Sequence, residues 1–146
     1  MVSDFGCDEK NYELLNDPKR NREHSGSYAL STCDQNPSGD WKGKAWYRFV
    51  EPAGTILADS LVPWNHCGGR AVGWLNGTLP TNLDLGEIIT RTVCFRWGGA
   101  HCFWTVNVKI KQCNEFFLYE LPGTDLPRNK NNGKIVCSDR AHYCGQ

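Results

Sequence analysis

Cys94-Phe95-Arg96-Trp97-Gly98-Gly99-Ala100-His101-Cys102-Phe103-Trp104-Thr105-Val106-Asn107-Val108-Lys109-Ile110-Lys111-Gln112-Cys113 is the segment from which the architecture can be read. From Cys102 onward it alternates strictly. Cys102, Trp104, Val106, Val108 and Ile110 share one face, and Phe103, Thr105, Asn107, Lys109 and Lys111 share the other. That is the period of a strand with one dry and one wet face. Gly98-Gly99 permits a tight turn before it, so the segment predicts a hairpin in which Cys94 and Cys102 lie opposite each other and bond. Cys113 is then left to tie the far end of the strand to a remote part of the chain.

Working outward, residues 87–97 alternate as well and predict a second long strand paired with the first, its mixed faces implying cover on both sides. Trp46-Tyr47-Arg48-Phe49-Val50 reads as a strand, turned by Glu51-Pro52-Ala53-Gly54 into a return at Thr55-Ile56-Leu57-Ala58, a predicted hairpin. Ala71 to Leu75 is a short apolar strand running into Asn76-Gly77-Thr78. After Cys113, Phe116 to Leu121 is an aromatic strand that ends at Pro122-Gly123, and Thr124 to Lys134 is a polar loop. Residues 8–32 are mostly polar, broken at Asp17-Pro18 and Ser25-Gly26-Ser27, with either a short helical turn at the apolar cluster Tyr12-Glu13-Leu14-Leu15 or irregular chain pinned by Cys7 and Cys33. Short strands with glycine turns predict an all-β, disulfide-rich antiparallel β-sandwich with long loops and little helix. Residues 1–6 read as an N-terminal extension carrying an added start Met, and 7–146 as one domain.

Sixteen basic and sixteen acidic side chains give a formal net charge of zero, so no overall field draws in nucleic acid or anionic lipid. No run of about 18 apolar residues is present to insert into a membrane. Eight widely spaced cysteines, Cys7, Cys33, Cys67, Cys94, Cys102, Cys113, Cys137 and Cys144, include no Cys-x-x-Cys pair and favour disulfides over zinc. Three His–Cys proximities, His66 with Cys67, His101 with Cys102 and His142 with Cys144, are the opposing signal; we expect no metal and no cofactor. The disulfides place the chain in a secreted, extracellular setting.

The chain resembles the eight-cysteine extracellular domain that precedes the zona pellucida module in uromodulin and the pancreatic zymogen-granule membrane glycoprotein. The shared signatures are Trp46 to Val50, Val62-Pro63, Trp74 to Thr78 followed by Pro80, Cys94 with Trp97, Cys102 with Trp104, Val108-Lys109 before Cys113, and Tyr143-Cys144. The resemblance implies the pairing Cys7–Cys113, Cys33–Cys137, Cys67–Cys144 and Cys94–Cys102. Relatives with ten cysteines carry one more bridge, at positions held here by Leu61 and His101. It also implies a non-enzymatic extracellular interaction or structural module whose partners are proteins or glycans. Some members offer a glycan as bait to bacterial adhesins, at a position occupied here by Glu120.

Asn76-Gly77-Thr78 is the glycosylation acceptor, since Pro37 disqualifies Asn36-Pro37-Ser38. The alternative function is a lectin-like domain, with Trp41, Tyr47 and Trp64 as candidate sugar contacts because they lie near loops; Trp46, Trp74, Trp97 and Trp104 fall in strand patterns and read as core. Asp84 with Glu87 or Asp59 is the one carboxylate set near aromatics that could serve glycoside hydrolysis, and its plain reading is solvated turn residues. No nucleophile, metalloprotease or phosphate-loop motif is present. Phe116 to Tyr119 is a candidate self-association edge, with an ordinary buried strand as the plainer reading.

Overall fold

The computed structural model describes residues 6–25, 34, 39–63, 65–67, 71–79, 81–97, 99–124, 130–131, 134–135 and 141–146. The strands are β1 (Glu13–Leu15), β2 (Ala45–Phe49), β3 (Ala71–Asn76), β4 (Ile88–Trp97), β5 (Ala100–Gln112), β6 (Phe117–Leu121), β7 (Lys130–Asn131), β8 (Lys134–Ile135) and β9 (Ala141–Tyr143). Among the described residues helix is confined to two 3-10 turns, Glu9–Asn11 and Pro18–Arg20, each begun by an aspartate whose carboxylate accepts a nearby backbone N–H. The chain is all-β, as its patterning predicts. In place of a two-sheet sandwich, one seven-stranded mixed sheet runs β1-β2-β6-β5-β4-β3-β9, beside a separate β7-β8 pair.

The sheet dries its inner face by curling onto itself. Asn21, past β1, forms a parallel bridge with Gly145, past β9, closed by Arg22 N–H to Gly145 O at 2.8 Å and Gly145 N–H to Arg20 O at 2.7 Å. Chain continuing from one edge of the sheet thus meets chain continuing from the other. Gly145 allows the approach, because a Cβ there would collide with the Ala53 carbonyl and the Phe49 ring. Inside lie Leu15, Trp41, Tyr47, Phe49, Leu75, Val93, Phe95, Val108, Ile110, Tyr119 and Tyr143, all buried. Tyr143 of β9 contacts both Trp41 and Phe95. Alternating strands show the same dry and wet faces in a sandwich and in a single curled sheet, which is why periodicity does not separate the two.

The β4–β5 hairpin forms the long spine. Its faces follow the alternation from Trp104 on: Val108 and Ile110 are buried, Thr105, Asn107 and Lys109 exposed. Cys102 departs from it. Phe95 pairs with Trp104 but Trp97 with Ala100, so His101-Cys102-Phe103 face Arg96 alone and bulge. The bulge lets Cys102 reach Cys94, whose partner Thr105 lies on the outer face. Cα atoms are 4.9 Å apart. The pair is bonded as predicted, though not opposite in register. Cys7–Cys113 and Cys67–Cys144 are also bonded, each with a Cα separation of 5.8 Å. Cys33 and Cys137 lie outside the described residues.

Two further expectations are corrected, and one alternative is decided. Thr55 to Ala58 does not return as a hairpin strand; β2 pairs with β6 and, in parallel, with β1, and only Leu57 makes an isolated bridge, to Gly145. Tyr12 to Leu15 forms neither a helical turn nor irregular chain: Glu13–Leu15 is strand β1, because Leu15 enters the core while Leu14 faces out, a strand's alternation. For Phe116 to Tyr119 the plainer reading holds: Phe117–Leu121 is an interior strand, since β6 lies between β2 and β5.

One arginine closes the curl. Arg20, fully buried, donates through both terminal nitrogens to Asp34 at 2.6 Å, through Nε and Nη2 to Asp40 at 2.8–3.1 Å, and through Nη1 to Tyr143 O at 3.1 Å. All of its N–H donors are used. Asp34 caps the β9 edge by donating its N–H to Ala141 O and accepting from Tyr143 N–H. Asp40 accepts the Asn16 and Asp17 N–H groups just after β1. Backbone groups at the two ends of the sheet are therefore satisfied by two carboxylates that share one guanidinium.

Candidate interaction surface and glycan attachment site

Asn76 is the last residue of β3, paired with Thr92 of β4, and Asn76, Gly77 and Thr78 are all exposed. Gly77 has φ +151°, a backbone conformation that side chains rarely adopt, and follows the last β3–β4 pair, Asn76 with Thr92. A row of polar side chains continues inward across the outer face, Thr92 Oγ1 lying 3.4 Å from Asn107 Oδ1.

The candidate sugar contacts have a different fate. Trp41 and Tyr47 are both 0% exposed and stack on each other, ring centroids 4.9 Å apart. Neither offers a face to a ligand, because both line the inside of the curl. The Tyr47 hydroxyl accepts the Lys42 N–H and donates to Gly43 O, and burial pushes its pKa up to about 12. Trp64 lies outside the described residues. Among the tryptophans placed by pattern, Trp97 and Trp104 pack on the main core and Trp74 on a smaller outer cluster with Val62, Val72 and the Cys67–Cys144 bridge. Trp46 is corrected to the outer face, where Lys111 Nζ stands 4.5 Å from its ring centroid.

The carboxylates and histidines serve structure. Asp84 N–H donates to Glu87 Oε1 and Glu87 N–H to Asp84 O, which closes a turn, and Asp59 accepts from Gln146 Nε2. The sulfurs of Cys67, Cys102 and Cys144 are in disulfides, so the histidines beside them gain no thiolate partner for a metal. His66 Nδ1 is 2.7 Å from Arg22 O, and His142 Nε2 meets Cys67 O. Glu120 lies within β6, flanked by Trp46 and Lys109. Leu61 O accepts from Arg22, and His101 O from Trp74 Nε1.

Sequence reasoning missed the Arg48 cluster. Arg48 stands 3.9 Å from the Phe116 ring centroid and donates to the Tyr12 hydroxyl at 3.3 Å; Tyr12 and Phe116 are 5.9 Å apart. The signal was present, since in Trp46-Tyr47-Arg48-Phe49 the alternation that buries Tyr47 and Phe49 sends Trp46 and Arg48 outward. A cleft of about 400 Å³ opens on one side of Arg48, lined by Glu51, Ile56, Glu115, Phe116 and Phe117 among others. Another, of about 640 Å³, opens on the other side toward Asp8, Glu9, Tyr12 and Leu14. Both include Arg48 and Val50, so the clefts adjoin. The Arg20 cluster was also missed, and no local pattern marks it.

A single curled sheet with bridges joining residues up to 106 positions apart defines a class, the disulfide-stapled extracellular β-domain. The sequence model of the uromodulin-like D8C domain matches residues 47–144, and the chain belongs to that family. It is 41% identical over 116 residues to the pancreatic secretory granule membrane major glycoprotein GP2 of Canis lupus familiaris, covering 79% of this chain and 21% of that protein. The Homo sapiens GP2 is 41% identical over 117 residues, 79% and 20% respectively. Uromodulin of Rattus norvegicus is 32% identical over 111 residues, 75% and 16%. The chain thus spans about a fifth of the length of these relatives. Family and disulfides together mark a secreted or extracellular domain, and membership fits a non-enzymatic structural or interaction module. Among the described residues no helix is long and apolar enough to cross a membrane.

Proposed function

We propose that this domain is a non-enzymatic interaction and structural module of an extracellular glycoprotein, and that it presents an N-linked glycan at Asn76. The exposure of Asn76-Gly77-Thr78 at the end of β3 carries this reading. The acceptor amide stands where the chain leaves the sheet, so a transferred oligosaccharide displaces no packed side chain. The relatives' names describe a major glycoprotein of a secretory granule membrane, which supports the reading without assigning a ligand to this chain. The lectin-like alternative loses Trp41 and Tyr47 to the core.

The test is secretion from eukaryotic cells followed by treatment with an N-glycan amidase. The wild-type chain should lose the mass of one glycan, and Asn76→Gln should be secreted without it. An unchanged mass after amidase treatment of the wild type overturns glycan presentation.

A further inference from the structure

β3 directs its peptide groups alternately to its two sides. Gly73 O accepts from Cys144 N–H and Leu75 N–H donates to Ala58 O at 2.6 Å, so the odd-numbered residues turn away from β4. Asn76 falls in the other phase, pairs with Thr92 of β4 and ends that ladder. Gly77 continues the odd series one residue past the strand. Its N–H therefore points away from β4, and among the described residues none accepts it. The Asn76 side-chain amide is likewise held by no described residue. Both residues are exposed, and a Cβ placed at Gly77 would meet only Arg91 Cδ, at 3.8 Å.

An unengaged peptide nitrogen next to an exposed asparagine amide is set for cyclisation. The Gly77 nitrogen gives up its proton to water or hydroxide and attacks Asn76 Cγ. The bond from Cγ to the side-chain nitrogen breaks, and ammonia leaves with a proton from the solvent. Water then opens the succinimide at either carbonyl, to aspartate or to isoaspartate. Glycine favours the attack because no side chain crowds its nitrogen. Asn76 must turn out of extended geometry to close the ring, which at the end of the β3–β4 ladder disturbs one terminal pair. Asn107 is placed in the opposite way. It lies inside β5 between the paired Val106 and Val108, and its follower is β-branched.

We propose that Asn76 is a deamidation site whenever it carries no sugar, and that a glycan there protects it. Both modifications use the same side-chain nitrogen: glycosylation makes it a secondary amide, and deamidation expels it. The deamidated product has a new carboxylate at the end of β3, an extra backbone carbon in the isoaspartate form, and no sequon. The protection rests on the reading of Asn76 as glycan-bearing; the deamidation does not.

The test compares the secreted wild type with Thr78→Ala, which removes the acceptor signal and keeps Asn76 and Gly77. Both are incubated folded and oxidised at mildly alkaline pH, then mapped as peptides with isoaspartyl methyltransferase labelling. No amidase is used, since it leaves normal aspartate at the acceptor. In Thr78→Ala the peptide carrying residue 76 should gain about one dalton and label as isoaspartate, within about thirtyfold of the rate in the reduced, unfolded chain. The glycosylated wild type should label there at least about tenfold more slowly. Asn107 should stay unlabelled, and Asn132-Gly133 falls in a separate tryptic peptide. Labelling of folded Thr78→Ala slower than that thirtyfold margin, or no faster at Asn76 than at Asn107, overturns the site. Equal labelling of glycosylated and unglycosylated chains overturns the protection. A wild type secreted without sugar should label as Thr78→Ala does, which upholds the site and overturns glycan presentation alone.

Discussion

Arg20 shows how much a single side chain can decide. It is fully buried and saturated by Asp34, Asp40 and the Tyr143 carbonyl. Two carboxylates against one guanidinium would leave excess negative charge in the interior, which the Tyr143, Asn16 and Asp17 N–H groups offset. Arg20→Met should therefore cost about 3–5 kcal/mol, because it strands both carboxylates rather than merely removing a contact. Arg20→Lys keeps the charge but lacks the planar fork, and should recover only part of the loss. Urea unfolding of the oxidised protein measures both, and a loss below about 1 kcal/mol for Arg20→Met would contradict the assignment. None of this was legible in the sequence: Arg20, Asp34 and Asp40 are spread over a loop-rich region, and burial of a polar residue has no periodicity.

At the scale of elements, disulfides set the hierarchy. Cys94–Cys102 spans 8 residues and Cys7–Cys113 spans 106. On the chain-entropy model the short bridge restricts the unfolded state by about 2.5 kcal/mol and the long one by about 5 kcal/mol. Replacing Cys7 and Cys113 together by alanine should lower the melting temperature clearly more than replacing Cys94 and Cys102, as calorimetry would show. Equal shifts would mean that the hairpin bulge depends on its bridge for more than entropy. Most of this level was readable. The alternation of β5 gave its dry and wet faces, and the antiparallel pairing of β4 with β5 follows the predicted hairpin, in which Gly98 lies outside the described residues. The bulge at His101–Phe103 escaped, because strict alternation puts Cys102 beside Trp104, and only the paired register shows it turned to the face of Cys94.

At the scale of the molecule, the closure of the curl makes stability depend on pH from both sides. Burial alone would raise the pKa of Asp40, but its hydrogen bonds and charge pairing with Arg20, helped by the Asp17 and Asn16 N–H groups, hold it below its ordinary value. A carboxyl with a depressed pKa stabilises the fold above its unfolded pKa, about 4, and that stability is lost as pH falls further through the folded value. Tyr47 acts in the opposite sense. Its pKa is pushed up to about 12 by burial. Its contribution is intact below the unfolded pKa of about 10 and disappears as pH climbs from there through the folded value. Melting temperature followed by circular dichroism should be nearly level between about pH 5 and 9 and fall on either side. In Arg20→Met the acid fall should begin at higher pH, since Asp40 then keeps the burial and loses the partner. An acid limb that does not move would remove Asp40 from the account.

By itself the sequence determined the compartment, the all-β class, the spine and its faces, the Cys94–Cys102 pair and the position of the Asn76-Gly77-Thr78 sequon. These depend on spacing along the chain, on period-two alternation, cysteine number and turn residues, all local quantities. The tertiary structure alone decided that one sheet curls on itself, that Trp41 and Tyr47 are interior while Trp46 and Arg48 face out, and that Arg20 joins the two ends. Each of those depends on which distant segments meet, and the free energy of such a meeting comes from burial and pairing between residues far apart in the chain, such as Arg20 and Tyr143 at 123 positions, which no local pattern encodes.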